Sequence, residues 1–395
     1  MSDRVAEANS LEAQTRAARD LREAAALLRR AIALLPIGHP RRLELLLGLG
    51  QTLGATGDFD GTRRANAEVL EQAREIGDRR METRALLAQA AVAQVTERDG
   101  LARYEDAMAM AVPVLEEFGD DEALWAAWQG LARAQQGMGR SPDRAIERAI
   151  AHAERAGREP LYCVYLRAYG AYVGSAPVAE VLLRADELAA LGRGMPNIAL
   201  QLRAHCAAMS GDFDTAREIV REHKEFARAA GKEAPTEVGG EVELLAEDHD
   251  AAERELRPIV ETYRRSGDLG HGAGALELLA RAVLELGRDE EAGALLDELE
   301  RWSSPEDLAA AAELDALRAR LIGDEALARA AVDRLAETDW LNLRARLLHD
   351  LALVARDPEP AEQAAELYTR KGNVVARRAA LRTAQDLRTG RSAPG

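Results

Sequence analysis

The residues best suited to chemistry are aromatic, and they lie close together. Trp125 and Trp128 are followed by Tyr162, Tyr165, Tyr169 and Tyr172, so six of the fifteen aromatic residues fall within 48 positions of a 395-residue chain. The tyrosines stand at i, i+3, i+7 and i+10, one stripe of a helix. Two readings are open. The stripe can pack as core between neighbouring elements. Four core hydroxyls would each need a partner, however, where Leu or Phe would need none, so the stripe also fits a wet aromatic surface for a peptide or a flat small molecule. In that second case a tyrosine hydroxyl or His205 is the candidate acid or base.

Other catalytic patterns are missing. The one Gly-Lys pair, Gly231-Lys232, is followed by Glu and lacks the upstream glycine of a phosphate-cradling loop. His39, His152, His205, His223, His249, His271 and His349 show no metal-ligand spacing and read as exposed helix residues. No Gly-x-Ser-x-Gly elbow occurs. Cys163 and Cys206 are too few for a disulfide framework or a structural zinc site and read as small buried residues. Acid pairs such as Asp120-Asp121, Asp289-Glu290-Glu291 and Asp324-Glu325 read as helix starts. No catalytic residue, cofactor or metal is expected.

Composition narrows the partners. The formal net charge of -16 would repel a phosphate backbone, and no basic run offsets it, so direct nucleic-acid binding is not expected. Met1 to Arg30 is polar, and no window approaches the apolar length of a membrane span, which predicts a cytoplasmic protein. Aromatic residues make up 4% of the chain, while Ala, Leu, Arg and Glu dominate, as in closely packed helices.

The elements that must position the aromatic stripe are announced by a recurring turn. It reads Gly57-Asp58, Gly211-Asp212, Glu247-Asp248, Gly287-Arg288-Asp289 and Gly323-Asp324, with weaker copies at Arg98-Asp99, Gly139-Arg140, Gly174-Ser175 and Arg356-Asp357. Successive marks lie 33 to 41 residues apart, the period of helical-hairpin repeats. Gly ends one helix in the left-handed conformation, and Asp caps the next. The marks at 98 and 174 flank the aromatic cluster, which makes those units the ones expected to be reshaped for binding.

One unit shows the pattern fully. Leu276, Leu279, Ala280 and Val283 run at helical spacing to Gly287, and Ala292, Leu295, Leu296 and Leu299 resume it. This spacing resembles the tetratricopeptide repeat (TPR). The unit of Leu46, Leu49-Gly50, Leu53 and Gly57 is similar, with Thr62 and Asn66 in place of the expected small and aromatic residues. More specifically, the order of Leu34-Leu35-Pro36, Arg42-Leu43-Glu44-Leu45-Leu46, Gly240 to Ala246, Glu253 to Arg257, Thr338-Asp339 and Leu367 to Val375 resembles the C-terminal TPR region of large bacterial, actinobacterial signalling proteins. There it follows a nucleotide cyclase or a LuxR-type DNA-binding effector and an AAA-type ATPase. None of those catalytic segments is present between residues 20 and 385, where the similarity runs, so the chain corresponds to the sensor or scaffold portion.

The TPR resemblance implies that the first helix of each hairpin lines a concave groove. Gln129, Arg133, Gln201, His205, Glu277, Arg281, Arg346 and Asp350 thereby join the Trp/Tyr cluster as candidate peptide- or ligand-binding residues, although solvated helix faces explain most of them. The predicted fold is all-α: an α-solenoid, a right-handed superhelix of about nine TPR-like hairpins. Residues 1–40 form an N-terminal cap with a long helix near Glu7 to Leu35, 41–372 the solenoid, 373–388 a C-terminal capping helix, and 389–395 a disordered tail. The predicted function is a non-catalytic scaffold or sensor for a protein or peptide in bacterial signalling. The alternative is a small-molecule binder or unusual enzyme at the aromatic cluster, and an exposed solenoid end would permit homo-oligomers.

Overall fold

The computed structural model describes residues 2–15, 18, 20–192, 195–229 and 237–390. Its turns show why the chain folds as it does. At Gly57 the backbone takes φ +80°, and the Asp58 carboxylate accepts the Gly61 amide to open the next helix. The same division of labour recurs at Gly211-Asp212, Gly267-Asp268 and Gly323-Asp324, each cap contributing about 1 kcal/mol. Glu247 and Arg356 occupy the left-handed region at φ 58° and 53° without being glycine. The marks near 98 and 174 are different in kind, because Glu97 and Gly174 end their helices at φ −131° and −83°.

Two helices, α1 (Ser2–Thr15) and α2 (Leu21–Ala33), open the chain. A single long helix from Glu7 to Leu35 was expected. The break comes from Asp20, which caps α2 by accepting the Glu23 amide in an Asp-x-x-Glu start signal. Nine hairpins follow among the described residues: α3 (Pro40–Ala55) with α4 (Phe59–Ile76), α5 (Arg79–Thr96) with α6 (Gly100–Glu117), and α7 (Asp121–Gly137) with α8 (Asp143–Arg155). Next come α9 (Leu161–Val173) with α10 (Val178–Ala190), α11 (Met195–Ser210) with α12 (Phe213–Ala229), and α13 (Val238–Leu245) with α14 (His249–Ser266). The last three are α15 (Leu269–Glu285) with α16 (Asp289–Trp302), α17 (Leu308–Ile322) with α18 (Glu325–Arg334), and α19 (Leu341–Ala355) with α20 (Pro358–Lys371). Helix α21 (Val374–Thr389) closes the array, Gly390 caps it, and the rest of the expected tail and the Gly231-Lys232 pair lie outside the described residues.

The core is a string of clusters rather than one centre. Leu276, Leu279, Ala280 and Val283 of α15 pack on Ala292, Leu295, Leu296 and Leu299 of α16 as the repeat pattern predicts. Thr62, where a small residue was expected, is buried and donates its hydroxyl to the Gly50 carbonyl at 3.0 Å, so α3 and α4 still approach closely. No helix among the described residues is long and apolar enough to cross a membrane.

First helices of consecutive hairpins touch along the stack, and second helices do not do so to a comparable extent. The stack therefore curves with first helices inside, around a lumen. After five hairpins it meets itself, as α15 packs on α5, α19 on α9 and α21 on α11. Lys371 fastens this closure: it is fully buried, and its ammonium donates to the Ala171 and Gly174 carbonyls, both at 2.8 Å, at the C-terminal end of α9. Asp339 accepts from the Ser175 hydroxyl and amide across the same seam. Two irregular turns thus sit where the second superhelical turn packs on the first: Gly270 of α15 lies against Val95 beside one, and Asp339 against Gly174 at the other.

Candidate functional site in the lumen

Helix α9 carries the tyrosine stripe onto the inner wall. Ring centroids lie 5.3 Å apart for Tyr162 and Tyr165, 5.8 Å for Tyr165 and Tyr169, and 6.0 Å for Tyr169 and Tyr172. The ladder then crosses to α11, where His205 stacks on Tyr172 at 4.6 Å. Glu241 of α13 fixes that end, accepting the Tyr172 hydroxyl at 3.0 Å and standing 3.2 Å from His205 Nδ1. Tyr169 keeps 37% of its surface accessible. Burial, then the Glu241 charge, pushes the Tyr172 hydroxyl well up, so it is a hydrogen-bond donor at neutral pH.

The tryptophans do not continue the ladder. Trp125 and Trp128 pack on the cluster formed by Ala145, Ile146 and Ala149 of α8 with Cys163 and Leu166 of α9, where Tyr162 and Tyr165 also pack, and Arg148 lies 5.9 Å over Trp128. Both indole N–H groups are buried without a partner. Gln129 points at the buried Cys163 thiol, 3.9 Å away, and Gln201 faces His223 of α12, away from the lumen. Arg133 donates to Gln94 at 3.0 Å and lies 3.3 Å from His271, tying α7 to α5 and α15. His152, His205 and His223 are buried, against the expectation of exposure, because each meets a polar partner on the adjoining helix: Asp121, Glu241 and Asn197 respectively.

Glu277, Arg281, Arg346 and Asp350 come together, but in a buried charge cluster rather than on a solvated face. Arg281 bonds Asp350 at 3.0 Å, Glu313 at 2.7 Å and Glu277 at 3.2 Å. Arg346 pairs with Glu313, and Arg320 pairs with Glu285 and, at 3.3 Å, with Asp350. Four carboxylates meet three guanidiniums, so the set is one cation short. Glu277 carries the mismatch, its carboxyl raised by burial and then by Glu313. Asp350 is held below the usual range because Arg281 and Arg320 outweigh its burial.

A simple arithmetic pattern announces this wall. Arg133, Tyr169, His205, Glu241, Glu277, Glu313 and His349 follow one another at 36-residue intervals, one per first helix from α7 to α19. Glu241 and Glu313, which sequence reasoning missed, were legible in that column. Glu237 and Asp307, which precede α13 and α17 and also face the lumen, carried no such signal. Among the described residues no group of three or more His, Cys, Asp or Glu is placed to hold a metal ion, and both cysteines are free and buried.

The fold and this wall define an all-α, TPR-like solenoid with a polar, aromatic-lined lumen. No family model matches the sequence, and no curated protein matches it. Among solved structures, the human IFIT1 dimer with m7Gppp-AAAA is similar at 15% identity over 93% of this chain and 86% of that chain, with a TM-score of 0.45. The P58(IPK) TPR domain matches at 14% identity over 99% of both chains, with a TM-score of 0.26. A circular tandem repeat protein with novel repeat topology matches at 18% identity over 97% of this chain and 88% of that chain, with a TM-score of 0.14. These likenesses are to helical-repeat proteins and say nothing of what this chain binds.

Proposed function

We propose that the protein is a non-catalytic binding scaffold that holds an elongated protein or peptide segment in its lumen along α9. The observation that carries this reading is the Tyr162-to-His205 ladder, in which consecutive rings line an enclosed wall and Tyr169 stays accessible. Aromatic side chains that remain wet inside a concavity offer large contact area at low entropic cost. A sensor role in bacterial signalling belongs to the same proposal and is supported by the sequence resemblance alone. Of the alternative, a small-molecule binder or unusual enzyme at the aromatic cluster, the enzyme form draws on the Glu241 partner of His205, but Tyr172 covers that imidazole and offers a donor rather than a nucleophile.

A photo-crosslinking residue in place of Tyr169, with a second at the exterior Leu183 of α10, tests the reading in native lysate. The expected result is a partner captured from position 169 and not from 183. Identical products from both positions, or none from 169, would remove the lumen as the binding surface.

A further inference from the structure

The ladder does not meet one uniform electrostatic environment. At its Tyr162 end the acting charge is Arg133, whereas Tyr165 already feels the Glu237 carboxylate ahead of Arg133. At the Tyr169 end three carboxylates act together: Glu237 and Glu241 of the α13 start, and Asp307 at the start of α17. Glu241 is occupied by Tyr172 and His205, and Asp307 caps α17 through the Ala310 amide at 3.0 Å. Glu237 is different: among the described residues no ion pair is formed with it, and the group of opposite sign that acts on it is the His271 imidazole. Its Oε1 stands 3.8 Å from the position a Cβ would take at Gly274, so the absent side chain there leaves room beside the carboxylate.

An accessible aromatic face beside an unpaired carboxylate is the chemistry that receives a cation, because ring quadrupole and carboxylate both attract it and both gain strength where water is scarce. Burial raises the Glu237 and Asp307 carboxyls, a cost that an incoming cation would relieve. The length of the ladder indicates what bears the cation. Ten residues from Tyr162 to Tyr172 rise about 15 Å, the reach of about four or five residues of extended chain.

Resting on the lumen reading, we infer that the ladder takes an extended peptide segment and that its Tyr169 end receives an arginine or lysine side chain. Arg133, at the other end, gives the segment its direction by favouring a carbonyl or acidic group there. A phosphate backbone laid along α9 would bring its charge against Glu237, Glu241 and Asp307, which argues against a nucleic-acid strand in this place.

Fluorescence anisotropy on the full chain tests this with three labelled probes of matched length: a capped Gly-Arg repeat octapeptide, a capped Gly-Glu repeat octapeptide and an oligoadenylate RNA. The Gly-Arg peptide is expected to bind. Tyr169→Leu, which changes no charge, and Glu237→Gln should each weaken it by about tenfold, whereas Tyr169→Phe keeps the ring face and should stay within about twofold. Circular dichroism checks folding, and Glu237→Gln decides alone if Tyr169→Leu does not fold. Equal binding to wild type and both variants would assign the affinity to the acidic exterior and overturn the inference, as would no binding of the Gly-Arg peptide. Tyr169-dependent binding of the acidic peptide or the RNA would overturn the cation specificity while leaving the lumen as a binding surface. An empty crosslink at position 169, or products identical to those from position 183, removes that surface itself.

Discussion

Between α15 and α19 the lumen wall answers Arg281, Arg320 and Arg346 with carboxylates, whereas between α9 and α13 it stacks rings and, among the described residues, forms no ion pair with Glu237. Both regions occupy the same position of the repeat, so the superhelix offers each the same concave setting. They differ in whether polarity is spent internally. Arg281 is buried and takes three carboxylate partners from three successive first helices, which ties hairpins seven to nine into one block. Tyr169 keeps water on one side, while Tyr165 beside it also packs on the apolar clusters around α9. A polar residue in a groove is therefore no sign of binding until its partners have been counted.

The largest expected effect lies in the paired region. Arg281→Met strands Asp350, Glu313 and Glu277 together and should cost about 3–5 kcal/mol, measured by urea unfolding. A loss under about 1 kcal/mol would mean that the cluster does not hold the block together.

Next comes the clasp between the two regions. Lys371→Met leaves the Ala171 and Gly174 carbonyls without their donor and should cost about 1–3 kcal/mol. Burial lowers the Lys371 ammonium to about 8 from 10.5. A folded value below the unfolded one means that the unfolded chain binds the extra proton, so this residue's contribution rises with pH between 8 and 10.5 and is lost as pH falls through 8. The stability difference between wild type and Lys371→Met should therefore grow across that window. A flat difference would place the lysine in water.

Within the ladder, Tyr172→Phe removes one donor to Glu241 and should cost about 0.5–1.5 kcal/mol by the same unfolding assay. The smallest change is a gain. Arg356 holds a left-handed turn that other hairpins give to glycine, so Arg356→Gly should stabilise by up to about 1 kcal/mol, read as a raised thermal midpoint.

Much of the fold was legible because turn chemistry is local. The nine hairpins, the placement of α15 and α16, and the position of the tyrosine stripe all follow from spacing and caps. Asp20 was equally local, and its Asp-x-x-Glu signal divides the leading helix that apolar periodicity alone would run together. The site was less legible because partners come from helices far apart in sequence. Nothing near Arg281 indicates that Asp350 will bind it, and nothing near Trp128 says that its ring turns toward α8 while Tyr169 turns inward. The weak marks at 98 and 174 were read as units reshaped for binding. Both lie at the seam between superhelical turns, a long-range contact that no local pattern encodes.

The central claim is that the ladder binds while the charge cluster supports, and one paired measurement addresses it: unfolding free energy and capture from position 165 for Tyr169→Leu beside Arg281→Met. Tyr169→Leu is expected to lose the partner while its stability changes by less than about 1 kcal/mol, and Arg281→Met to lose several times more stability. Retained capture in Tyr169→Leu together with a stability loss equal to that of Arg281→Met would contradict it, making Tyr169 a core residue rather than a binding one.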